Sequence, residues 1–140
     1  MEDTGHERQQ LLRRALVANA SFSAISGLVL VFAQRRVVQF LGLPDRINLI
    51  SVGISLLAFA AMLVVFARKE RLKLSDAWIA VTLDAAWVLG SYPLLLVAPF
   101  STSGKWVVGI VAEVVMAFAL LQWLGIRRIG KRGIALEPSR

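Results

Sequence analysis

Runs of uncharged, mostly apolar residues divide this chain into four long blocks separated by short charged stretches. Ala15 to Ala33 contains no charge, and neither does Ile47 to Ala67. Ala77 to Ala98 is interrupted only by Asp84, and Trp106 to Ile126 only by Glu113. Each block reaches the roughly 20 residues that a helix rising 1.5 Å per residue needs to cross about 30 Å of hydrocarbon. A soluble bundle would carry a polar stripe along each helix, and these blocks do not. The pattern predicts an all-α polytopic membrane protein. Residues 1–140 form a single membrane domain, an antiparallel bundle of four transmembrane helices at 15–33, 47–67, 77–98 and 106–126.

The connection between the first two blocks has its own pattern. Val37, Val38, Phe40, Leu41 and Leu43 alternate with Arg35, Arg36 and Gln39 before Pro44 ends any helix. Residues 35–43 therefore read as an amphipathic segment lying in the membrane interface. The stretch Phe100 to Lys105 is short and rich in Ser and Gly, which makes the last two spans an antiparallel hairpin. Trp78, Trp106, Trp123 and Tyr92 fall towards span ends, where interfacial aromatics gather.

Composition agrees: 57% of the 140 residues are hydrophobic and only 18% charged, against about 45–50% and about 25% in soluble domains. With no cysteine and one histidine, His6, disulfides, thiolate or multi-histidine metal sites, haem and Ser-His-Asp chemistry are excluded. The net charge of +7 is a topology signal and not a nucleic-acid signal. Twelve Lys and Arg residues lie in the N-terminal tail, the second connection and the C-terminal tail, against four on the other side. Positive residues favour the cytoplasmic face, so both termini are expected in the cytoplasm, with the chain in a bacterial inner membrane. The first block runs too far, to Ala33, for a cleaved signal core, and is read as a retained span. The run Arg127, Arg128, Lys131 and Arg132 beside a span end is expected to meet anionic lipid head groups.

Function in a span shows at polar residues. A carboxylate near mid-membrane costs on the order of 3 kcal/mol on insertion scales, against about −0.3 to −0.6 kcal/mol for each Leu, Ile, Val or Phe. The third span has nine such residues, so Asp84 makes it marginal by itself. No span carries a Lys or Arg to pair with Asp84 or Glu113, and at least one of the two is expected to be neutral. Partners at helical spacing are Asn19, Ser23 and Ser26 in the first span and Asn48, Ser51 and Ser55 in the second. Asp84 with Val88 and Ser91, and Gly109 with Glu113 and Ala117, supply the other two inward stripes. Asn19 and Asp84 fall at one depth, with Glu113 displaced by about 8–10 Å along the axis. Gln122, half a turn from Glu113, is assigned to a head group or a partner and not to this pocket. Pro93 removes a backbone bond and is expected to bend the third span where Gly90, Ser91 and Tyr92 precede it. Small residues at Ser23–Gly27, Ser51–Ser55 and Ala86–Gly90 also suit close helix packing.

Four runs carry a family likeness: Asn19-Ala20-Ser21-Phe22-Ser23 with Ser26-Gly27, Leu41-Gly42-Leu43-Pro44, Asp84-Ala85-Ala86-Trp87-Val88-Leu89-Gly90-Ser91, and Gln122-Trp123-Leu124-Gly125-Ile126-Arg127-Arg128. Touching all four spans, they resemble small four-helix bacterial integral membrane proteins of the DoxX-like kind. The resemblance implies fold and location, and no reaction. Small multidrug transporters share the span number but centre on a glutamate in the first span, where this chain has Asn19.

The expectation is a non-enzymatic protein without cofactor or metal, whose intramembrane pocket is formed by Asn19, Ser23, Asp84, Trp87, Ser91 and Glu113. It would bind a small or lipophilic ligand or relay protons in transport. The alternative is an accessory or scaffold subunit of a larger membrane complex. Expected partners are the bilayer and its anionic head groups, with a second copy or another membrane protein left open, and no nucleic acid. Acid-base isomerisation on the two carboxyl groups is the remaining enzymatic option.

Overall fold

In a computed structural model, which describes residues 3–70 and 73–130, the chain is all helical. Helix α1 runs Asp3–Phe32, α2 Gln34–Leu41, α3 Ile50–Arg68, α4 Leu74–Val97 and α5 Thr102–Gly130. The four long helices are each long and apolar enough to cross a membrane, over Gln9–Phe32, Ile50–Arg68, Leu74–Val97 and Thr102–Arg127. Their outward faces are apolar: Phe32, Leu89, Leu96, Val97 and Trp106 are all more than two-thirds exposed. Such a surface suits hydrocarbon and would aggregate in water.

Helices α1, α4 and α5 exceed their blocks because charged residues at their ends still join the helical ladder, whereas α3 begins only at Ile50, inside the block that opens at Ile47. Helix α1 begins well before Ala15, and Leu12 and Leu16 are buried from its first half. Arg13, read from sequence only as a topology charge, has a structural task. Its guanidinium donates to the carbonyls of Ala67, Lys69 and Glu70, carbonyls left over where α3 ends. Lys69 pairs with Asp76 at 2.8 Å, placing a carboxylate in the first turn of α4, where the helix dipole favours it.

Apolar burial does not drive association between helices in lipid, so close packing and polar contacts decide the arrangement. Helix α1 is central. It packs along α3 on one side and α5 on the other, α5 packs along α4, and α3 and α4 scarcely meet. At Gly27 and Gly53 the backbones of α1 and α3 come close together. A Cβ on either would stand 2.8 Å from the other's carbonyl oxygen. Leu12, Leu16, Ala20, Leu63, Ala67, Ala77, Ala80 and Ile126 fill the end of the bundle beside the α3–α4 connection.

The opposite end is closed by α2. Val38 and Leu41 point inward and Arg35 and Arg36 outward, as the amphipathic pattern of 35–43 requires. Gly42, at φ 72°, ends the helix in the left-handed region, where its N–H reaches Gln39 O. Ser101 then joins α2 to α5. Its N–H donates to Leu41 O and its Oγ to Phe40 O, while the same Oγ accepts the Gly104 N–H as the N-cap of α5. A Cβ at Gly104 would lie 2.7 Å from Leu41 O, so this docking needs glycine. The loop expected over 100–105 is correspondingly shorter, because Thr102 to Lys105 already belong to α5.

Candidate functional site

Helix α4 turns Ala77, Ala80, Asp84, Val88 and Ser91 inward, a run of three- and four-residue steps that keeps one face towards the bundle. Asp84 is 2% exposed. Its Oδ2 accepts from Asn19 Nδ2 at 2.6 Å and from Gln122 Nε2 at 3.2 Å. Asn19 and Gln122 are both fully buried. Ser23 Oγ donates to Asn19 Oδ1 at 3.4 Å. Side chains from α1, α4 and α5 thus meet at one carboxyl oxygen, immediately beside the apolar end of the bundle. Oδ1 of Asp84 makes no hydrogen bond among the described residues. Gln122 Oε1 is buried with no partner there either.

Against this cluster lies a cavity of about 410 Å³, within the roughly 300–1,000 Å³ range of small-molecule sites. Its walls come from α3, through Ser55, Phe59 and Met62, and from α4, through Leu83, Asp84 and Trp87. Helices α1 and α5 form its floor with Phe22, Ser23, Ser26, Val111 and Val115. Because α3 and α4 flank the space and barely touch, its open side is the gap between them, on the lipid-facing surface. Asp84 is its one ionisable lining residue, and the other polar atoms are three serine hydroxyls, the indole N–H and backbone.

The residues expected to form the pocket divide into two groups. Asn19 and Asp84 meet at one level, Ser23 joins them from the next turn of α1 through Asn19, and Trp87 lines the cavity. Ser91 is buried, but its Oγ donates to Trp87 O within its own helix, at 2.8 Å, and does not line the space. Glu113 is on the exposed face of α5, bonded through Oε1 to Tyr92 Oη at 2.7 Å. The reason is angular. Ala112, Val115, Ala119, Gln122 and Ile126 are the buried series of α5, so the residue half a turn from Gln122 must face away. The inward stripe expected at Gly109, Glu113 and Ala117 is therefore corrected, as is the placement of Gln122 at a head group. In α3 the buried series is Gly53, Ala60, Leu63 and Ala67. Ser51 and Ser55 are exposed, turned away from that series, so the inward stripe expected at Asn48, Ser51 and Ser55 is corrected as well. Ser55 lines the cavity while its Oγ donates to Ser51 O, and Asn48 precedes the helix and accepts the Ile50 N–H.

Helix α4 continues through Pro93 to Val97, and the cavity, lined from α4 by Leu83, Asp84 and Trp87, lies roughly two to three turns before the proline. At the far end of α5, Arg127 stacks over the Trp123 ring at 4.6 Å. Arg128 is in the last turns of α5, and Lys131 and Arg132 lie outside the described residues. Sequence reasoning missed Gln122 and the aromatic and thioether lining from Phe22, Phe59 and Met62. The signal for Gln122 was its three- and four-residue spacing with Ala112, Val115, Ala119 and Ile126.

No protein family, curated protein or solved structure matches the chain. What the site can do is therefore argued from its chemistry. Among the described residues no group of three or more His, Cys, Asp or Glu side chains could hold a metal ion. The arrangement offers an apolar space with one carboxyl group at its wall, fixed in position by two amide donors and open on its second oxygen.

Proposed function

We propose that this chain is a non-enzymatic, multi-pass protein of the bacterial inner membrane that holds a small lipophilic ligand in the cavity between α3 and α4. The observation that carries this reading is the cavity itself, about 410 Å³, with Asp84 as its one ionisable lining residue. Apolar walls supply area for a lipophilic body, and a few fixed polar groups orient it. Ligand binding is favoured over a two-carboxyl proton relay because Glu113 faces away from Asp84, on the exposed side of α5. Both termini are taken as cytoplasmic from the twelve-to-four distribution of Lys and Arg. The stacking of Arg127 on Trp123 suits an interfacial anchor beside anionic head groups. On this proposal the chain is a relative of the DoxX-like four-helix proteins, through the runs that touch all four spans.

Photolabelling in proteoliposomes tests the ligand reading. A fatty alcohol bearing a diazirine should label Phe59, Met62 or Trp87, and Ala58→Trp, which fills the space from α3, should remove that labelling. Labels confined to outward residues such as Leu89 and Leu96 would refute it. Topology is read separately, because the chain has no cysteine. A single cysteine at Glu70 should react with an impermeant maleimide only after the cytoplasmic face is opened, and one at Thr102 should react from outside.

One observation favours the accessory-subunit reading. Tyr92 and Glu113 form a polar pair on the exposed α4–α5 face, where a partner helix could replace lipid. Co-purification of a stoichiometric partner in mild detergent, lost on Glu113→Leu, would support it.

A further inference from the structure

Three features of the cavity bear on the kind of ligand it takes, and the inference from them rests on the reading of the cavity as a ligand site. The first is charge. Asp84 is the only ionisable group in the lining, and no described Lys or Arg side chain is hydrogen-bonded to it. A carboxyl group in such surroundings is stabilised most by a ligand that brings the missing positive charge. The second is geometry. Asn19 and Gln122 both donate to Oδ2, which fixes the carboxyl plane and leaves Oδ1 as the unused acceptor. The third is the surface around it. Phe22, Phe59 and Trp87 line the same space, and aromatic faces attract an organic cation within about 6 Å.

We infer that the cavity selects a lipophilic organic cation, an ammonium carried on an apolar body, with Asp84 as its counter-charge and the aromatic lining as its cage. A hard metal ion does not suit the site, because it would need about six oxygen ligands in a space walled mostly by carbon. An anionic amphiphile would meet Asp84 with like charge and no cation to offset it. The amine reaches the cavity sideways from the bilayer, between α3 and α4, with its apolar body following it into the gap.

The test compares two probes of one shape: 4-phenylbutyltrimethylammonium and its uncharged isostere with carbon in place of nitrogen. The full chain is placed in nanodiscs, empty nanodiscs serve as the partition blank, and retained probe is quantified by mass spectrometry. The native chain should hold the cation at least about tenfold more tightly than the neutral probe. Asp84→Asn, which keeps the shape and can still accept from Asn19, should bring the two within about twofold while neutral binding persists. Phe59→Leu should lower the cation preference by about threefold. Equal retention of both probes by the native chain overturns the cation inference and leaves the lipophilic-ligand reading standing. Retention of neither overturns both. An undiminished preference in Asp84→Asn overturns the assignment of the counter-charge. If that variant fails to fold, the native ratio and Phe59→Leu decide the matter.

Discussion

Asn19 is the residue whose removal most directly tests the polar cluster. Replacing it with Leu keeps the γ-branched shape and deletes the donor 2.6 Å from Asp84 Oδ2, while the extra volume of Leu is common to both Asn19 variants and cancels in the cycle below. Asp84 would then rely on Gln122, whose 3.2 Å contact is longer, and Ser23 would lose its acceptor. Net hydrogen bonds to charged groups are worth about 1.5–3 kcal/mol in soluble proteins, whereas couplings measured between membrane helices average about 0.6 and reach about 1.7 kcal/mol. Full burial of both Asn19 and Asp84 and the short distance put this pair towards the upper end, at about 1–2 kcal/mol. The assay is a double-mutant cycle with Asn19→Leu, Asp84→Leu and both together, each unfolded reversibly in mixed micelles of rising denaturing-detergent fraction. Losing Gln122's acceptor is common to both Asp84 variants and cancels in the cycle. The double variant should be more stable than the sum of the single losses by about 1–2 kcal/mol, because it leaves neither partner stranded. Additivity within about 0.3 kcal/mol would refute the claim that these residues form one energetic unit.

Glycines provide a second check. Gly53→Ala should destabilise the protein by about 1–3 kcal/mol, because its Cβ meets Gly27 O at 2.8 Å and Val31 Cγ2 at 2.9 Å. Gly90→Ala and Gly109→Ala, where a Cβ meets nothing within 4 Å, should leave stability unchanged or raise it by up to about 1 kcal/mol in the same unfolding assay. Ser101→Ala should cost about 1 kcal/mol through the lost cap of α5. It should also speed proteolysis between α2 and α3, since the bond to Phe40 O is lost with it. Glu113→Gln should leave photolabelling of the cavity unaltered, and a loss of labelling there would mean that the outward placement of this residue is wrong.

The spans were legible because their signal is long and redundant: twenty or so apolar residues cannot be mistaken over one or two positions. The α2 segment was legible for a related reason, with Val38 and Leu41 set against Arg35 and Arg36 in two turns. The level shared by Asn19 and Asp84 followed from counting residues along two helices of known rise. Rotation was harder. On a helix apolar on every side, no hydrophobic face marks the interior, and Glu113 and Gln122 offered opposite readings of the same wheel. Charge pointed to Glu113, but packing took Gln122. The small residues Ala112 and Ala119, buried with it, let α5 approach its neighbours. The bonds of Arg13 to the end of α3 depend on contacts across more than fifty residues, which local pattern does not encode.

The weak α3–α4 boundary gives the fold a direct bearing on ligand exchange. Helix α4 is the span most burdened by its own sequence, because Asp84 offsets much of what its apolar residues contribute to insertion. Its bonds run to α5 along its length and to Asn19 at one point, while its tie to α3 is concentrated at the connection, where Lys69 meets Asp76. Widening the gap away from that connection therefore breaks few contacts and leaves Asp84 bonded to Asn19 and Gln122. On the ligand reading, a lipophilic molecule can pass from the bilayer to the cavity without dismantling the cluster that positions the carboxyl group. Had α3 and α4 been joined along their length, the same cavity would have been sealed from the bilayer, and access would have required the α1–α3 or α4–α5 contact to open instead.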